Sequence, residues 1–156
     1  MKLQKNTSLA LYSVLEFAAD PTRHFPATEI AAKYGVSAHH LAKVLAALAR
    51  AGILESVRGV GGGYRLVCNL RRLTLIDVIQ IFEDPGLPDG ERGDSGESTP
   101  VGRALGVVLS EIDQMTKATL ASITLATMLR LMARQQKAGQ DRVSRRRPRH
   151  ASGRNP

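Results

Sequence analysis

Apolar residues recur at helical spacing near the start of the chain. Leu9, Leu11, Tyr12, Val14, Leu15 and Ala18 predict a first helix, with Asn6 or Thr7 as its N-cap and Pro21 just beyond its end. Thr28 precedes Glu29, Ile30, Ala31, Ala32 and Tyr34, so its hydroxyl is placed to cap a short second helix that Gly35 can close in the left-handed conformation. Gly35, Val36 and Ser37 then lead into Leu41, Val44, Leu45 and Leu48, spaced at steps of three and four. Ser37 caps this third helix and Gly52 stops it. Two short helices around a tight turn containing glycine predict a helix-turn-helix, although such a corner is equally a packing device in proteins that never touch DNA.

The period then changes. Ile53, Leu54, Ser56 and Val57 read as a strand, residues 59–63 as a glycine-rich turn, and Tyr64, Arg65, Leu66 and Val67 as the returning strand. A hairpin placed directly after a helix-turn-helix reads as a wing. Beyond it, Thr74, Leu75, Ile76, Val78, Ile79 and Phe82 predict another amphipathic helix, with Thr74 and Asp77 at capping-box spacing. Val101, Leu105, Val108, Leu109, Ile112, Met115 and Leu120 form a stripe too long to bury against one small domain, so a partner helix is expected, with a helix folded back on its own domain as the alternative. From about 101 to 122 such a helix spans roughly 33 Å, close to the roughly 34 Å between successive major grooves. The expected class is mainly α with a small β hairpin: a winged helix-turn-helix domain over 1–83, a flexible loop over 84–100, a helical part over 101–137 that carries the dimerisation helix, and a disordered basic tail over 138–156.

Composition narrows the partners. A formal charge of +8 favours polyanions, either nucleic acid or an anionic membrane surface. No window approaches about 18 uncharged apolar residues and the N-terminal stretch has no signal-peptide pattern, so a cytoplasmic protein without a membrane partner is expected. The single cysteine, Cys68, excludes an intrachain disulfide and cannot alone anchor zinc or an iron–sulfur cluster. No catalytic constellation is present: GVGGGY opens a strand where a phosphate loop needs a helix, so no enzyme is expected.

Four segments in fixed order carry a resemblance: LALYSVLEFAA, TEIAAKYGVSAHHLAKVLAALARAGIL, SVRGVGGGYRL and LTLIDVIQIFE. Over about residues 1–132 the chain resembles the Rrf2 family of bacterial regulators, and ASITLATML is similar to the segment that ends the family's long dimerisation helix and opens a short final one. The resemblance implies a homodimer that reads a partly palindromic operator in double-stranded DNA, usually as a repressor. A small-molecule or protein effector stays open. Members that sense iron, nitric oxide or redox state carry three cysteines in the loop before the dimerisation helix. The corresponding DPGLPDGERGDSGESTP contains none, so no cofactor is expected.

The candidate DNA-reading residues are Ser37, Ala38, His39, His40 and Lys43 in the first turns of the third helix, and Arg58, Gly61, Gly62, Gly63, Tyr64 and Arg65 on the wing. Lys5, with Lys2 and Asn6 beside it, is a candidate phosphate contact. Ordinary solvated surface is the plain alternative for each. His39 and His40 point about 100° apart on a helix, a poor metal pair. Cys68 reads as a small hydrophobe, with a thiol sensor as the alternative. The Arg-dense tail can add phosphate affinity without specificity, or simply be solvated. A helix-turn-helix scaffold for protein assembly, without specific DNA binding, is the rival function.

Overall fold

Leu9, Ala10, Val14, Phe17 and Ala18 line one face of α1 (Lys5–Ala19) and are all buried, which makes α1 the central helix of the protein. The computed structural model describes residues 2–86 and 98–146, with side chains as far as 140. After α1 come α2 (Ala27–Tyr34), α3 (Ala38–Arg50), an antiparallel hairpin of β1 (Leu54–Val57) and β2 (Gly63–Leu66), α4 (Leu75–Ile79), α5 (Pro100–Ser122) and α6 (Leu125–Arg146). This is the expected class, a winged helix-turn-helix with a long additional helix. α1 touches α3, α4, α6 and β2, and α2 packs on α3.

Two helix starts differ from expectation. α1 begins at Lys5, with extended Gln4 before it, so neither Asn6 nor Thr7 is the cap. Thr7 lies one turn before Ala10 on the buried face and is itself wholly buried, so it belongs to the interior of the helix. α2 begins at Ala27 with Pro26 as its N-cap, leaving Thr28 exposed in the first turn. The cause is tertiary. Phe25 exchanges two backbone hydrogen bonds with Tyr64 of β2, each 2.9 Å, so the direction of the chain is set before Thr28 is reached.

In the hairpin, Leu54 pairs with Leu66, Glu55 with Arg65, Ser56 with Tyr64 and Val57 with Gly63. Leu54 and Leu66 are buried, so alternation puts Glu55 and Arg65 on the opposite, outer face. The ladder lies one residue C-terminal of expectation at its start and one residue N-terminal at its end: Ile53 is buried just before it, and Gly63 replaces Val67 as a member. The capping box at α4 is complete, with the Thr74 amide donating to Asp77 Oδ2 at 2.8 Å and the Asp77 amide to Thr74 Oγ1 at 3.4 Å.

α5 starts on a cap from Thr99, whose hydroxyl accepts from the Gly102 amide at 3.0 Å, with Pro100 in the first turn. Its end is pinned back to the domain where the Leu75 amide donates to Ile123 O and the Leu125 amide to Leu73 O, both at 2.9 Å. Leu125 is fully buried. The resemblance implies a short final helix, expected to end by 137, but α6 runs to Arg146. From 133 through 140 every side chain is exposed, so the missing apolar period signalled solvent rather than the loss of helix. Ala133, Arg134, Gln135, Gln136 and Lys137 are strong helix formers that extend turns already nucleated on the core. Residues 87–97 of the expected flexible loop and 147–156 of the expected disordered tail lie outside the described residues.

Candidate nucleic-acid interface

α3 divides into two faces. Leu41, Val44, Leu45 and Leu48 are buried, each stabilising the fold by about 1.5–3 kcal/mol on transfer from water, and they hold the helix against α1 and α2. His39 and Lys43, four residues apart, are exposed on the other face. Continuing that spacing brings Arg50, also exposed, onto the same stripe, with half-buried Ala42 and Ala46 between. The sequence reading missed these three. The signal was available as steps of three, seven and eleven residues from His39, and the small alanines allow a groove wall to approach closely. His40 is half-buried and turned to the side of the stripe.

The stripe begins at a built cap. Ser37 is extended and its hydroxyl accepts from the His40 amide at 3.1 Å, which fixes the first turn that carries Ala38, His39 and His40. Ser37→Ala is expected to cost about 1 kcal/mol, seen in thermal unfolding as a fall of about 2–4 °C. A change within error would mean that the cap contributes nothing.

The C-terminal end of α2, where the turn begins, is tied to α1. Tyr34 Oη donates to Glu16 Oε1 at 2.6 Å, Lys33 Nζ reaches the same oxygen at 2.5 Å, and the Tyr12 and Tyr34 rings stack with centroids 5.1 Å apart. Burial pushes the Glu16 carboxyl up, but the hydrogen bonds from Lys33 and Tyr34 outweigh it and leave it below its ordinary value. Burial, and then the Glu16 carboxylate, push the Tyr34 phenol well above its usual range. The end of α2 is thus held to α1 by a charged clamp as well as by packing.

On the wing, Arg58 is exposed and makes no ion pair among the described residues. Arg65 is different: its Nε donates to Glu55 Oε1 at 2.8 Å and its Nη2 to the same oxygen, so the guanidinium is already engaged across the hairpin. Val60, also missed, is fully exposed at the tip, an apolar side chain without a packing partner. It falls within the glycine-rich turn of residues 59–63, where only the glycines and the flanking arginines were assigned a role. Gly62 and Gly63 have internal reasons to be glycine: a Cβ on Gly62 would lie 2.3 Å from Val57 O, and one on Gly63 2.5 Å from Phe25 O. Only Gly61 of the three faces open space. Tyr64 is half-buried and tied by its backbone to Phe25.

The N-terminal cations stand elsewhere. Lys5 follows Gln4, whose amide donates to Glu83 Oε1 at 2.9 Å, and Lys2 lines a cleft with Glu83, Asp84 and Asp113 beside α5. Lys5 and Asn6 are exposed in the first turn of α1.

α5 also has two faces. Asp113 is buried, and Leu109, Thr116, Lys117 and Leu120 are half-buried on the side turned toward α4 and the domain. Val101, Leu105, Val108, Ile112 and Met115 form a separate stripe, 47–77% exposed. Of the seven expected dimer residues, five are therefore uncovered in one chain, while Leu109 and Leu120 partly serve the chain's own packing. Cys68 is half-buried, and burial pushes its thiol up against a weaker backbone hydrogen bond, the reverse of what a reactive thiolate needs.

Comparison with known proteins agrees with this geometry. The Rrf2 family, described as "Iron-dependent Transcriptional regulator", matches residues 3–131. The HTH-type transcriptional regulator named BadM of Rhodopseudomonas palustris is 48% identical over 134 residues, covering 85% of this chain and 83% of that one. The solved structure of CymR, the global cysteine regulator of B. subtilis, superimposes with a TM-score of 0.69 at 26% identity, covering 84% of this chain and 98% of that one. T. potens IscR gives 0.65 at 26% identity, covering 83% and 87%. The matched relatives are regulators, in line with the reading that excluded an enzyme. The donor set does not fit an iron–sulfur cluster held by cysteine thiolates, because the chain has one cysteine. Among the described residues, no three of His, Cys, Asp and Glu gather closely enough to hold a metal ion.

Proposed function

Since this chain belongs to the Rrf2 family of transcriptional regulators, we propose that it is a homodimeric repressor, which reads a partly palindromic operator and blocks its promoter by occupying it. The observation that carries this reading is that one chain presents two outward surfaces of opposite character. A polar and basic stripe runs along α3 beside an open wing, and an uncovered apolar stripe runs along α5. The first has the chemistry of a duplex surface, and the second has the chemistry of a helix that needs a partner. At 23 residues, α5 is about 35 Å long, which suits two α3 helices set one helical turn of DNA apart.

In this reading His39, Lys43 and Ala42 meet base edges, Arg50 and Arg58 meet phosphates, and the wing tip enters the neighbouring groove. Regulation works without a thiolate-held cluster. The protein acts in the cytoplasm, in keeping with the absence among the described residues of any helix long and apolar enough to cross a membrane.

The test is duplex binding by the purified protein across a salt series, with footprinting at its own promoter. Strong salt dependence and a protected site with dyad symmetry are expected. Replacing His39, Lys43 and Arg58 together with alanine is expected to weaken operator binding by on the order of 10²–10³. Unchanged operator affinity in that triple variant would overturn the assignment, and no duplex binding at low salt would favour an assembly scaffold. Anaerobically purified protein is expected to be colourless; a visible chromophore would overturn the cofactor reading.

A further inference from the structure

Arg65 is the one wing cation that the structure finds already bound. Glu55 stands directly opposite it in the ladder, and two nitrogens of the guanidinium, Nε and Nη2, donate to the single oxygen Oε1. Nη1 makes no hydrogen bond among the described residues. The two side chains are 39% and 41% exposed, so the pair sits at the surface of the wing. The buried Leu54–Leu66 pair next to it prevents the hairpin from turning this face inward. A guanidinium held along one edge by a carboxylate is a planar fork with its other edge turned outward at a fixed angle. A free arginine such as Arg58 has no such restraint and follows the nearest phosphate.

We propose that Glu55 is a positioning residue which, by bracing Arg65 across the hairpin, converts it from a general phosphate cation into a reader of one groove position in the operator. The proposal rests on the DNA reading above. Two effects follow from bracing. The ordering of a long side chain is completed before DNA arrives, so an operator that matches the fixed geometry gains from it. The carboxylate also offsets the arginine's charge, so a duplex that does not match gains little from Coulomb attraction alone. Glu55 therefore raises operator preference while lowering general affinity, which a purely structural ion pair would not do.

The experiment compares Glu55→Gln, Arg65→Gln and the double variant, measuring affinity for operator and for non-operator duplex over a salt series. Glu55→Gln is expected to tighten non-operator binding by about 2- to 5-fold, steepen its salt dependence by up to about one phosphate, and lower the operator preference by roughly 3- to 10-fold. In the Arg65→Gln background the same change is expected to leave the preference unaltered. Thermal unfolding should move by less than about 2 °C, because an exposed cross-strand pair contributes little to stability. Equal effects on both duplexes, or an undiminished loss of preference without Arg65, would overturn the proposal. If the unaltered protein binds no duplex at low salt, both readings fall; salt-dependent binding by the unaltered protein with a silent Glu55→Gln leaves the DNA reading intact and removes only this one.

Discussion

Leu105→Glu combined with Val108→Glu is expected to yield a folded monomer whose operator affinity has fallen by on the order of 10²–10⁴. Both positions lie on the uncovered stripe of α5, 56% and 51% exposed, so charge there meets solvent in the single chain. Glutamate is a good helix former, and the cost to the fold itself should stay within about 0.5 kcal/mol. In a dimer the same side chains would face their symmetry mates, burying like charges against each other without a partner. The second α3 would then no longer be held near its half-site, and the gain from tethering two weak contacts would vanish. Light scattering or sedimentation gives the mass, circular dichroism the fold, and a binding titration the affinity. A double variant that stays dimeric and binds normally would show that α5 is not the joint.

Gly63→Ala is expected to lower stability by about 2–4 kcal/mol and to loosen the wing, a large part of the roughly 5–15 kcal/mol that a domain has. Gly63 has φ +150°, a region closed to side chains, and a Cβ would lie 2.5 Å from Phe25 O and 2.6 Å from Phe25 C. Those are backbone atoms that cannot turn away. Relief requires parting β2 from Phe25, with loss of both Phe25–Tyr64 hydrogen bonds, and these tie the wing to the segment that starts α2. Gly61 supplies the control: its φ is +74°, but nothing lies within 4 Å of the added carbon. Gly61→Ala should cost only about 1 kcal/mol, mostly from its backbone conformation. In thermal unfolding the difference should be about 5–10 °C, with faster amide exchange at Tyr64 in the Gly63 variant alone. Matching losses in the two variants would mean that the close approach to Phe25 has no consequence.

These cases separate what is local from what is not. The six expected elements of the domain were legible because each writes its signal in neighbouring residues. The period of three and four in Leu41, Val44, Leu45 and Leu48 gave α3, and Ser37 and Thr74 gave caps that form with the donors expected of them. The α5 stripe was legible too, at nearly its observed length. What escaped depends on residues far apart in sequence. Pro26 replaces Thr28 as the cap of α2 because Phe25 is bound to Tyr64, thirty-nine positions away. Arg65 reads as a free cation until the ladder register sets Glu55 opposite it. Gly63 reads as a residue for close approach to DNA until its neighbour proves to be the chain's own backbone.

By itself, the sequence determined the fold class, the order of elements, the polar face of α3 and the absence of a cysteine triad, because periodicity, caps and composition are local or additive properties. Which wing residues are already occupied and which side of α5 its own domain covers became visible only in the folded chain. Each of those depends on which distant groups come within a few ångströms, and hydrogen bonds and van der Waals exclusion act only at that range.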